Sequence, residues 1–99
     1  MRTVFAVVTY SFLAAPVLAS PELAKQKNCM GCHAIERKIV GPGYKEIAAK
    51  YAGTNVAGDL AQKIIKGSKG TWGVVSMPAN PQVSEAEAKK LASWVLSLK

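Results

Sequence analysis

The chain has 99 residues, of which 13 are Lys or Arg and 6 are Asp or Glu, for a formal net charge of +7. That length allows one domain at most, and a domain this small rarely builds a sufficient apolar core without a staple. The basic balance would suit nucleic acid, but Arg37 is the only arginine past Arg2 and the lysines are spread along the chain, so the charge reads as a solvated surface or a docking feature toward acidic partners.

Residues 1–19 have the layout of a secretory signal peptide. Arg2 gives a positive start, residues 4–15 form a mostly apolar run, Pro16 breaks it, and Val17-Leu18-Ala19 supplies small residues before a cut. Cleavage is expected after Ala19, with Ser20 as an alternative last residue of the leader. An uncleaved anchor would need roughly 20 apolar residues, and this run is shorter and interrupted. Removing Arg2 leaves twelve basic residues against six acidic ones in residues 20–99. No second apolar span follows, so the expected product is a soluble, periplasmic domain over residues 20–99.

Ser20-Pro21 offers a cap residue and a proline at the first helical position, predicting a short helix that runs into Cys29. After His33 the chain turns irregular through Val40-Gly41-Pro42-Gly43. Tyr44, Ile47, Ala48 and Tyr51 then fall at i, i+3, i+4 and i+7, one apolar helix face closed by Gly53. Leu60, Ala61, Ile64 and Ile65 make a third face, stopped by Gly67. Residues 68–81, SKGTWGVVSMPANP, read as a loop with a slight strand prospect at Val74-Val75. Ser84 and Glu87 form a capping box, and Ala88, Leu91, Ala92, Val95 and Leu98 continue as an apolar stripe with Trp94 on its flank. The expected fold class is all-α: about four short helices joined by loops, with no sheet.

Cys29-Met30-Gly31-Cys32-His33 is a CxxCH motif, the attachment signature of c-type haem. Two thiols three positions apart, on about one helical turn, can each add across a haem vinyl group, and the adjacent histidine then lies under the ring as an iron ligand. His33 is the only histidine in the chain. A thioredoxin-like pair would want a βαβ pattern, which is missing. A zinc site needs about four ligands, and two Cys with one His fall short. A local disulfide suits an exported protein but explains neither His33 nor the loop that carries Met77. His and Met are the axial pair of electron-carrying cytochromes c. Met30 sits inside the motif, beside the proximal ligand. Met77 stands 44 residues beyond His33 in a Gly- and Pro-rich loop able to present sulfur from the far side. With both axial positions filled, the expected role is one-electron transfer at a positive potential, not catalysis. A peroxidase or gas-binding protein would need Met77 unbound, and no second histidine is present for distal acid–base work.

Together CMGCHAI, VGPGYKEIAAKYAG, GTWGVVSMPAN and the terminal WVLSLK resemble the small bacterial class I cytochromes of the cytochrome c-551 type, over essentially all of residues 21–99. The resemblance implies one covalent haem c, with Cys29 and Cys32 attached and His33 and Met77 on the iron. It implies that the Pro42 carbonyl accepts from the free nitrogen of the haem histidine, and that the Trp72 indole donates to a haem propionate. Lys63 falls near a position where relatives often carry arginine for that propionate, and lysine lacks the forked geometry. Asn80 matches a residue that hydrogen-bonds near the methionine sulfur. Val74-Val75-Ser76 replaces a more proline-rich stretch of some relatives. Tyr44 and Trp94 read as helix-packing residues. The implied partners are redox proteins: a membrane cytochrome complex as donor, and a nitrite reductase or terminal oxidase as acceptor, met by a monomer.

Overall fold

A computed structural model describes residues 20–99. The expected leader and its cleavage site lie outside the described residues. Four α-helices form: α1 (Ser20–Gln26), α2 (Tyr44–Lys50), α3 (Ala57–Lys66) and α4 (Glu85–Ser97), with a single 3₁₀ turn, Cys29–Gly31, after α1. Among the described residues no strand forms. Two isolated bridges, His33 with Lys38 and Ser68 with Met77, stand in its place, and Val74 is fully exposed.

Local chemistry sets the boundaries. α1 stops short of Cys29 because Asn28 takes a left-handed conformation, φ 66°, a conformation that asparagine tolerates better than most residues. The Gly43 amide donates to Glu46 Oε1 at 3.3 Å and so starts α2. Gly67, at φ 80°, ends α3. The α4 capping box is complete: Glu87 N donates to Ser84 Oγ at 3.1 Å, and Ser84 N donates to Glu87 Oε1 at 2.9 Å.

α4 is the hub. It packs against α1, α2 and α3, whereas α2 and α3 do not pack on each other. The stripe Ala88, Leu91, Ala92 and Val95 is buried, as its spacing requires. Leu23 and Ala24 of α1, Ala61 of α3 and Val83 complete the core. Alanines at these contacts let the helix backbones approach closely. Lys27 ties the end of α1 to α4, donating to Gln82 O at 3.1 Å and pairing with Glu87 at 3.4 Å. Ile47 of α2, Tyr51 just after it, and Leu60 and Ile64 of α3 are only half-buried and line a cavity between the two helices.

Candidate functional site

The cavity has a volume of about 390 Å³, within the range of small-molecule and cofactor sites. Its walls come from α2, α3, α4 and the loop that follows α3. Cys29, Cys32, His33 and Met77 all line it.

The 3₁₀ turn and the segment after it hold His33. Cys32 N and His33 N both donate to Cys29 O, at 3.2 and 3.0 Å. The chain then loops out and returns, so that Val40 N and Gly41 N donate to Cys32 O at 3.2 and 2.8 Å. This return sets Gly41 directly against the imidazole: a Cβ there would stand 2.5 Å from His33 Cε1. His33 is 8% exposed. Its Nδ1 donates to the Pro42 carbonyl at 2.7 Å. A carbonyl can only accept, so the proton sits on Nδ1 and the lone pair on Nε2. Among the described residues Nε2 has no hydrogen-bond partner, leaving it available to a metal.

The sequence assigns Tyr44 and Trp94 to helix packing. Tyr44 does more than pack helices: its ring also stacks on His33 with centroids 5.2 Å apart at 20°. Trp94 packs edge-on against Tyr44, also at 5.2 Å. Burial pushes the Tyr44 phenol well above its ordinary range, and the neighbouring Cys29 and Cys32 act in the same direction. Burial likewise raises the Cys29 thiol, more than its backbone hydrogen bond lowers it. Among the described residues no group of three or more His, Cys, Asp or Glu converges on a metal position, which leaves a zinc site without its ligands.

Met77 sits at the base of its loop. It exchanges backbone hydrogen bonds with Ser68, at 2.8 and 3.0 Å, and Gly67 passes so close that a Cβ would meet Met77 O at 2.6 Å. Met30 packs against the apolar core and is not in the cavity wall, which separates the two methionines. Trp72 and Lys63 both line the cavity. Lys63 Nζ donates to Thr71 Oγ1 at 3.5 Å. Asn80 is not in the wall. Its Nδ2 donates to Ile64 O at 2.9 Å and to Pro78 O at 3.3 Å, and its backbone N donates to Ile65 O at 3.0 Å, so it roots the Met77 loop on α3. Sequence reasoning missed Gly41 and Lys50, whose ammonium stands 5.2 Å from the Trp72 ring centroid. For Gly41 the adjacent Pro42 was a usable signal; for Lys50 there was none.

The residues present fit an iron porphyrin. The wall is largely aliphatic and aromatic, two thiols and an imidazole follow one another along a single turn, and one thioether joins them in the same cavity.

The family described as cytochrome c matches residues 18–99. The chain is 53% identical to cytochrome c-552 of Hydrogenobacter thermophilus over 97 residues, covering 96% of this chain and 97% of that one. It is 58% identical to cytochrome c-551 of Azotobacter vinelandii over 79 residues, 79% of this chain and 95% of that one. The crystal structure of wild-type Nitrosomonas europaea cytochrome c552 superposes with a TM-score of 0.76 at 54% identity, covering 80% of this chain and 99% of that one.

Proposed function

The chain belongs to the cytochrome c family and carries one covalently attached haem c, and from that premise we propose that it is a periplasmic one-electron carrier and not an enzyme. Cys29 and Cys32 would hold the haem covalently, and His33 and Met77 would be the residues that ligate its iron. The haem supplies a one-electron change between ferrous and ferric iron. The rest is the work of this chain's residues.

His33 presents Nε2 because Pro42 takes the proton-bearing Nδ1, and Tyr44 fixes the plane of the ring. Such a bond orients the ligand and raises its basicity. Met77 offers a soft thioether, which favours the ferrous state and raises the potential. Ile47, Leu60 and Ile64 exclude water, which disfavours added positive charge in the same direction. With His33 and Met77 both supplied to the iron, no position would stay open to O₂ or peroxide. Lys63 and Trp72 line the cavity and would be donors for the haem carboxylates. The leader-like residues 1–19 support export to the periplasm. The donor is a membrane cytochrome complex, and the acceptor a nitrite reductase or terminal oxidase.

The observation that carries this reading is the meeting of Met77 and a tautomer-locked His33 in one cavity. Ferric and ferrous absorption spectra test it. The ferric protein should be low-spin with a methionine–iron charge-transfer band that Met77→Ala abolishes, and the reduced protein should bind CO slowly. A spectrum without that band, unchanged in Met77→Ala, or rapid complete CO binding would overturn it. Mass spectrometry of Cys29→Ala and Cys32→Ala, with loss of a thioether bond in each, checks the attachment.

A further inference from the structure

α2 and α3 form two sides of the cavity without packing on each other, and the loop over residues 68–77 lines the cavity and reaches α2 at Trp72. The Ser68–Met77 bridge closes its base, and Asn80 roots that base on α3. Its tip is held by side chains alone. Gly70 (φ 84°) and Gly73 (φ 108°) flank Thr71 and Trp72, and neither glycine has a neighbour within 4 Å of where its Cβ would be. Val74 beyond them is fully exposed. Glycines on both sides leave the backbone of the tip free to turn, so side-chain contacts decide where Thr71 and Trp72 sit.

Two lysines reach it. Lys63, from α3, makes the 3.5 Å hydrogen bond to Thr71, on the side already rooted. Lys50, in the last turn of α2, places its ammonium 5.2 Å from the Trp72 centroid and 5.9 Å from that of Tyr51. Among the described residues this is the only hydrogen-bond, ionic or ring contact between the loop and α2.

We infer that Lys50 is a positioning residue for Met77: by gripping the Trp72 ring from α2 it keeps the loop seated across the gap, and so keeps the thioether in place. The inference rests on the reading of Met77 as the axial ligand. An exposed cation–π contact corresponds to about a two- to fivefold change in an opening equilibrium, which is the size of effect expected.

The test uses the holoprotein and three variants, Lys50→Ala, Lys50→Arg and Lys45→Gln. Lys45 is a second lysine of α2, paired with Glu36 and absent from the cavity wall. One readout is displacement of the sixth ligand by imidazole in the ferric protein. The other is amide exchange at Ser68 and Met77. Lys50→Ala should speed both about two- to fivefold, Lys50→Arg should restore them because a guanidinium grips an indole at least as well, and Lys45→Gln should leave them unchanged. Lys50→Ala equal to wild type, no rescue by Lys50→Arg, or an equal effect from Lys45→Gln would overturn the inference. If the wild-type ferric protein shows no methionine band, the ligand reading fails by itself, and amide exchange still decides whether Lys50 holds the loop.

Discussion

Gly41→Ala adds one methyl group against the imidazole of His33. The new Cβ would lie 2.5 Å from Cε1, 2.9 Å from Nδ1 and 3.0 Å from Nε2. Ordinary carbon contacts fall at about 3.5–4.0 Å, so the nearest overlap is about 1 Å. The ring has little room to retreat, held by Pro42 O at 2.7 Å and stacked on Tyr44. Gly41 is not among the glycines with positive φ, so alanine meets no backbone strain there, and the cost is steric. Overpacking of this kind costs about 1–3 kcal/mol, against which alanine recovers about 0.4–1 kcal/mol through the unfolded chain. A net loss of about 1–2 kcal/mol follows, or a Tm lower by roughly 4–16 °C for a domain of this size. Urea and thermal unfolding of the holoprotein measure it. Haem-methyl proton shifts in the ferric form should move as well, because tilting the ring displaces Nε2. Gly58→Ala, in the first turn of α3 with nothing within 4 Å, is the control and should be neutral or stabilising by up to about 1 kcal/mol. A Gly41→Ala protein within about 0.5 kcal/mol of wild type with unmoved shifts would refute the reasoning.

Leu91 is 3% exposed and belongs both to the core and to the cavity wall. Leu91→Ala should cost about 2–5 kcal/mol in urea unfolding, and should also shift the potential by admitting water. Ser84→Ala removes the cap of α4 and should cost about 1 kcal/mol, visible as a lower urea midpoint at an unchanged slope. The Ser84 amide, then its hydroxyl and the Lys27 ammonium, hold the Glu87 carboxyl below its ordinary value of 4.5. A depressed folded-state value means that the ionised form adds stability above that ordinary value, and that this contribution is lost as pH falls through the depressed one. The gap in urea midpoint between wild type and Glu87→Gln should therefore be full at pH 7 and shrink toward pH 3. A gap independent of pH would contradict the assignment.

Much of the site was legible because covalent chemistry imposes spacing. CxxCH places two thiols and an imidazole on one turn whatever the rest of the fold does, and Ser84 with Glu87 specifies a helix start within four residues. The stripe of α4 was equally plain, since a helix buried along one face must repeat its apolar residues every three or four positions. The faces of α2 and α3 were also visible, but their periodicity could not reveal that Ile47, Leu60 and Ile64 face a cavity and not another helix.

What the sequence by itself determined, then, are the local elements and the CxxCH turn, because these depend on neighbours a few positions apart. What only the tertiary structure decided are the relations between distant segments. The return of the chain that presses Gly41 on the His33 ring, the stacking of Tyr44 and the reach of Lys50 to Trp72 all depend on where the fold holds the segments. No spacing rule encodes that placement, which is set by close packing around alanines and by the gap left between α2 and α3.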